Sequence, residues 1–226
     1  NYLFEASVGG GIPIIRPLRS CLAANQISGI MGIVNGTTNY MLTRMSQEGL
    51  AYADALAEAQ AKGYAEADPT ADVEGLDAAR KIAVLASLAF NTRLTLQDVH
   101  VEGIDNLDAC DVAYADDLGY AVKLLGIAKK HPEYGISANV YPVMLPKDHP
   151  LASVNDVYNA VFVNGDAVGD AMFLGRGAGR MPTASAVCGD LIDTARNILA
   201  GATGRVPCIA FEKKVMCPPD KEMTPC

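Results

Sequence analysis

The sequence lacks the glycine fingerprints of a nucleotide site. Neither G-x-G-x-x-G nor a Walker pattern occurs in its 226 residues, so no self-contained dinucleotide-binding unit is legible. Long apolar runs are missing as well. None reaches the length that spans a bilayer, and the first residues do not form a signal peptide. Metal-ligand spacing is also absent. Six cysteines stand singly at 21, 110, 188, 208, 217 and 226, without a C-x-x-C, and His100, His131 and His149 lie far apart. A structural zinc site is therefore not expected. Cys208, Cys217 and Cys226 read as thiols of a tail, in a chain expected to be cytoplasmic and reduced. Positive charge is scarce: 18 Lys and Arg face 26 Asp and Glu, a net charge of −8. Nucleic acid and anionic membranes are not the expected partners. No initiator methionine precedes NYLFEA, as expected of a piece of a longer protein.

What is present reads as a globular chain. Half of the residues are hydrophobic and 19% are charged, enough to bury one large domain. Residues 4–12, FEASVGGGI, read as a strand end and a glycine turn, and Pro13 stands where a helix begins. The glycine run alone fits a phosphate-cradling loop or a plain tight turn. Residues 27–35 read as a buried strand. In the GTTNY that follows, Thr37 or Thr38 is expected to cap a helix over 39–48. Residues 52–62 form a surface helix that Gly63 ends, and 108–117 form a short one.

From residue 119 the pattern becomes two hairpins. GYAVKLLGIAKK pairs with ISANVYPVMLP, and NAVFVNG pairs with DAMFLGRG. Neither pair alternates cleanly, which predicts a sheet covered on both faces. The expected fold is α+β, a mixed or antiparallel sheet with helices on one face and a homodimer interface on the other. GRGAG at 175–179 precedes Pro182 and a last helix. By itself it reads as a turn or as a place of close ligand approach. Residues 1–206 are taken as one domain and 207–226 as a tail or linker.

The chemistry gathers in residues 63–81, GYAEADPTADVEGLDAARK. Four acids, Glu66, Asp68, Asp72 and Glu74, fall within nine residues of a loop and a helix start. Asp72 is the expected N-cap of a helix running to about Phe90. Asp77 and Lys81 then lie four apart on one helix face, about 5–6 Å between Cβ atoms. The plain reading is a solvated ion pair worth a few tenths of a kcal/mol. Against it stands the uncharged run IAVLASLAF after Lys81, which makes this a core helix. Acids around one lysine suit a cationic substrate group and proton transfer.

The run GY-x-E-x-DP-x-x-D-x-x-G-x-D-x-x-RK resembles the substrate-site signature of homoserine dehydrogenase. FEASVGGGIPII, IVNGTTNYML and GRGAGRMPTASAVCGDLID resemble that family too, in order, over residues 1–206. The resemblance implies an oxidoreductase of the aspartate pathway, leading to threonine, methionine and isoleucine. It implies interconversion of L-aspartate 4-semialdehyde and L-homoserine with NADP or NAD. Carried over, Lys81 and Asp77 are catalytic. Gly36, Thr37, Tyr64, Glu66 and Asp72 bind the amino-acid substrate, with Glu66 on its ammonium group. Gly177 and Gly179 lie near the nicotinamide. Glu5, Val8, Gly10 and Ile12 hold a monovalent cation, Na⁺ or K⁺. The family's cofactor fingerprint is not in these residues, so this portion alone is expected to be nearly inactive.

Two other readings compete. One is a regulatory or scaffold module that kept the fold and lost catalysis; retention of Tyr64, Glu66, Asp72, Asp77 and Lys81 together argues against it. The other makes Lys81 the Schiff-base lysine of an aldolase-like barrel, for which the strand pattern does not offer eight βα units.

Overall fold

The structure, a computed structural model, describes residues 2–202 and 214–218. In chain order it forms β1 (Ile27–Ile33), α1 (Gly36–Glu48), α2 (Tyr52–Ala61), α3 (Thr70–Val73), α4 (Leu76–Phe90), β2 (His100–Val101), α5 (Ala109–Asp117), β3 (Tyr120–His131), β4 (Gly135–Pro146), β5 (Tyr158–Gly165), β6 (Gly169–Arg176) and α6 (Arg180–Leu199). The strands make one open sheet in the order β2-β4-β3-β1-β5-β6. Both expected hairpins form: β3 pairs with β4 from Tyr120–Pro146 to His131–Gly135, and β5 with β6 from Tyr158–Arg176 to Gly165–Gly169. β1 joins the hairpins, antiparallel to β3 and to β5. Only the short β2 runs parallel to its neighbour, β4. The sheet is mixed, the class is α+β, and the closed barrel that an aldolase reading needs does not form.

Helices cover one face. Ile82, Leu85 and Ala86 of α4 and Met41, Leu42 and Met45 of α1 share a core with Ile30, Leu124, Ala128, Val140, Val161 and Val163 of the sheet. Burying each of the leucine, isoleucine, valine and methionine side chains contributes about 1.5–3 kcal/mol. α4 lies so close that a Cβ on Gly126 would stand 3.0 Å from the Ile82 Cβ. The opposite face is apolar too. Ile33, Leu125, Ile127, Leu145, Ala160 and Phe162 cluster there, roofed in part by Leu151, Ala152 and Val154. Beyond that roof, Met172 and Leu174 of β6 are exposed.

Several local expectations are corrected. The helix after the acid loop does not start at Asp72. A single turn, α3, comes first, then Gly75 at φ 79°, and α4 begins at Leu76. A Cβ on Gly75 would meet Val140, Val101 and the Glu102 carbonyl at 3.1–3.5 Å. This close approach, in a left-handed conformation that suits glycine, separates the two helices and leaves the Asp72 side chain for another partner. The cap of α1 is neither Thr37 nor Thr38 but Asn35, whose side chain accepts from the Thr38 amide. Residues 4–12 are not a strand end: Glu5–Ser7 form a 3-10 turn. Past Pro13 the helix is one π-type turn, Pro17–Cys21, with the Leu22 amide reaching back to the Pro17 carbonyl.

Two further features frame the site. The strap 154–158 is held to α1 and β3. The Asn39 Nδ2 donates to the carbonyls of Val154, Asp156 and Tyr158 at 3.0–3.1 Å. Buried Lys123 donates to Val154 O at 2.6 Å and to the side chains of Asn155 and Asn39 at 3.0 and 3.3 Å. Burial pushes this lysine down to about 8, and the charge of Asp156 opposes the shift. Secondly, none of the described α6 side chains is buried, and Met181, Leu191, Ile192, Ile198 and Leu199 are exposed. Asp190 ties α6 to the first residues, accepting from the Glu5 amide at 2.9 Å and pairing with Arg16 at 3.1 Å. No helix among the described residues is long and apolar enough to cross a membrane.

Of residues 207–226 the structure describes only 214–218. They lie along the start of β4: the Ile136 amide donates to Val215 O and the Cys217 amide to Ile136 O. Cys208 and Cys226 lie outside the described residues.

Candidate active site

The site is built on the end of β1. Val34 and Asn35 leave the strand, and α1 starts at Gly36. The Lys81 ammonium donates to the Val34 carbonyl at 2.9 Å and pairs with Asp77 Oδ2 at 2.7 Å. The i,i+4 pair expected from spacing forms, with the Lys81 and Asp77 side chains partly buried, at 22% and 30% of their exposure. An ammonium group has three hydrogens. Two are thus directed at acceptors among the described residues, which leaves a third for a further acceptor.

Asn35 was not singled out from sequence, yet it is the hub of this cluster. Its Oδ1 accepts from the Thr38 amide at 2.9 Å and the Thr38 hydroxyl at 3.0 Å. Its Nδ2 donates to Asp72 Oδ1 at 2.7 Å and to Asp77 Oδ2 at 2.9 Å. A signal was available: asparagine ranks at least as high as threonine at a helix N-cap.

The acid loop is strapped to the same helix start. The Thr37 hydroxyl donates to the Tyr64 carbonyl at 2.7 Å. The Tyr64 ring packs edge-on against Tyr40, with centroids 5.0 Å apart, and is itself 44% exposed. Glu66 is exposed in the same loop, its backbone carbonyl accepting from the Gln60 side chain at 3.1 Å. Lys81, Asp77, Asp72, Gly36, Thr37 and the Tyr64 backbone are therefore joined by direct hydrogen bonds or chain neighbours. Glu66 shares only the loop.

The glycine turns come together separately. A Cβ on Gly10 would stand 2.3 Å from the Gly177 carbonyl oxygen, and the Gly11 amide donates to Arg176 O at 3.0 Å. A Cβ on Gly177 would lie 2.0 Å from the Asn159 Nδ2. Asn159 is buried, and its Oδ1 has no hydrogen-bond partner among the described residues. The same Oδ1 would be 3.5 Å from a Cβ on Gly36. Asn159 thus lies between the turn at 175–179 and the start of α1. Gly179, at φ 118°, precedes the first residue of α6.

The Glu5 carboxylate does not wait for an ion. Oε1 accepts from the amides of Ile14 and Ile15 at 2.6 and 2.8 Å, and Oε2 from that of Arg16 at 2.8 Å. The acid serves as the cap of the turn after Pro13. A cavity of about 740 Å³, lined by His100, Glu102, Ser137, Asn139 and Met216 among others, lies at the β2–β4 edge and contains none of the site residues.

The fold matches solved structures of dehydrogenases. A homoserine dehydrogenase from Thiobacillus denitrificans matches with a TM-score of 0.88 at 49% identity, over 92% of this chain and 48% of that one. A hyperthermophilic archaeal homoserine dehydrogenase in complex with NADPH matches with a TM-score of 0.73 at 32% identity, over 86% of this chain and 56% of that one. The homoserine dehydrogenase family model matches residues 13–192, and the chain belongs to that family. It is 55% identical over 208 residues to the homoserine dehydrogenase of Corynebacterium glutamicum, covering 90% of this chain and 46% of the relative. The chain spans about half the length of the curated relatives it matches.

Proposed function

We propose that this chain is the substrate-binding and catalytic portion of a homoserine dehydrogenase, interconverting L-aspartate 4-semialdehyde and L-homoserine in the biosynthesis of threonine, methionine and isoleucine. The observation that carries the reading is the cluster at the end of β1: Lys81 held by Val34 O and Asp77, with Asp72 joined through Asn35. Reduction of the aldehyde builds negative charge on its oxygen. A lysine ammonium with one hydrogen to spare stabilises that charge and delivers the proton. Asp77 orients the ammonium and meets the substrate hydroxyl. The amides at the start of α1, at Gly36 and Thr37, suit the substrate carboxylate. Glu66, with Tyr64 and Asp72, supplies acceptors and negative charge for the α-ammonium.

NADP or NAD supplies the hydride chemistry when bound. The residues present carry no fingerprint for its pyrophosphate, and Gly177 and Gly179 are the proposed neighbours of its nicotinamide end. A monovalent cation, Na⁺ or K⁺, is proposed at the first glycine turn through the carbonyls of Val8, Gly10 and Ile12. With its carboxylate engaged by three amides, Glu5 is left to contribute its main-chain oxygen. Carbonyl oxygens are hard ligands that fit such an ion. A cytoplasmic setting fits the six singly placed cysteines.

The test is homoserine-dependent NAD(P)⁺ reduction by the full-length protein, with and without Na⁺ or K⁺. Glu66→Gln keeps shape and removes charge, so KM for homoserine should rise more than kcat falls. An unchanged KM reassigns the ammonium to another acid, and equal rates without either ion remove the cation's role. A homodimer through the helix-free face is proposed from Phe162, Met172 and Leu174, which continue one apolar surface. Sedimentation at micromolar concentration should show a species of twice the chain mass; a monomer would count against it.

A further inference from the structure

Asn35 is 5% exposed, and all four hydrogen-bonding positions of its carboxamide are filled. The Thr38 amide can only donate, so it fixes which end of the carboxamide faces α1 and turns the NH₂ toward the acids. The two hydrogens of one NH₂ diverge by about 120°. Acceptors at 2.7 and 2.9 Å therefore stand on the order of 5 Å apart. Two carboxylates at that spacing repel one another, and a shared donor between them offsets the repulsion. Asp77 Oδ2 takes Lys81 as well, so the carboxamide reaches the proton-handling pair through a single oxygen.

We propose that Asn35 is a positioning residue of this site: its one carboxamide sets the separation of Asp72 from the Asp77–Lys81 pair and locks both to the first turn of α1, where Gly36 and Thr37 lie. The roles of Asp72 and Asp77 rest on the homoserine dehydrogenase reading above; the geometry does not. The end of β1 and the neighbouring helices α3 and α4, 37 and 42 residues further on at Asp72 and Asp77, are thereby held in one register. The residue type follows from the load. Serine or aspartate caps a helix as well as asparagine does, but neither offers two divergent hydrogens. Aspartate would add a third carboxylate where two already stand.

Capping and positioning are separated by Asn35→Ser and Asn35→Asp in the full-length protein. Serine keeps an oxygen for the Thr38 amide, so its melting temperature should stay within a few degrees of wild type. Its kcat for homoserine oxidation should fall and its KM rise, with kcat/KM down by about 10- to 100-fold, the scale of a small misplacement of reacting groups. Asn35→Asp should fall further while still folding. Wild-type kcat and KM in Asn35→Ser would overturn the proposal and leave Asn35 a cap. A melting temperature that collapses in both variants would overturn it in favour of a folding role. If the wild-type protein does not oxidise homoserine, the functional reading fails on its own. Crystal structures of wild type and Asn35→Ser then decide the positioning role: a changed Asp72–Asp77 separation supports it, and an unchanged one overturns it.

Discussion

Lys81→Ala in the full-length protein is expected to lower kcat for homoserine oxidation by about two to four orders of magnitude, the usual range for losing a general acid–base group. Cofactor affinity should be unaffected, because the lysine side chain bonds only Val34 O and Asp77 among the described residues. The size of the effect follows from geometry. The ammonium is aimed by a backbone carbonyl that cannot titrate and by an acid one helical turn away, so its remaining hydrogen has a defined direction. Asp77→Ala removes one of those two guides and strips Asn35 of an acceptor; it too should lower kcat. If lysine and aspartate act as one unit, the double variant will be little worse than the more damaging single one. Near-normal kcat in Lys81→Ala would return the pair to an ordinary ion bridge between helix neighbours.

Much of this site was legible because its residues obey short-range rules. The spacing of Asp77 and Lys81 put both on one face of α4, and the uncharged run after Lys81 marked that helix as buried. Gly63 at φ 73° ends α2 as its position predicts, and both hairpins pair where the sequence turns. What was not legible depends on the third dimension. Asp72 looks like a cap because it precedes a periodic run; only the packing of Gly75 against Val101 and Val140 shows why the helix starts later. The family resemblance makes Glu5 an ion ligand beside a glycine turn, and only the fold brings the amides of Ile14, Ile15 and Arg16 onto its carboxylate. Asn35 and Asn159 carry no charge and sit in no acid cluster, so composition does not mark them. One joins segments 37 and 42 residues away, and the other lies against Gly177, just past the end of β6.

The contact between the two glycine turns makes the second large prediction. Gly10 sits at φ 54°, and a Cβ there would stand 2.3 Å from the Gly177 carbonyl oxygen and 2.6 Å from its carbonyl carbon. An alanine at 10 therefore meets two costs. The left-handed conformation is worth roughly 1–2 kcal/mol for a residue with a Cβ. Pushing one backbone segment off another adds about 1–3 kcal/mol, as overpacking does. Gly49 supplies the control: its φ is 66°, and a Cβ there would meet nothing within 4 Å. Gly49→Ala should thus report the conformational cost alone, and Gly10→Ala should exceed it by about 1–3 kcal/mol in denaturant unfolding of the full-length protein. The excess has a functional echo, because Gly177 is also in close contact with the Asn159 carboxamide, which lies where a Gly177 side chain would be, so a shift of Gly177 is felt at Asn159. Gly10→Ala should therefore also disturb the start of α1 through Asn159 and raise KM for homoserine. Equal destabilisation by the two alanines would mean that the turns at Gly10 and Gly177 are not in backbone contact, and that the glycine at 10 serves its φ angle only.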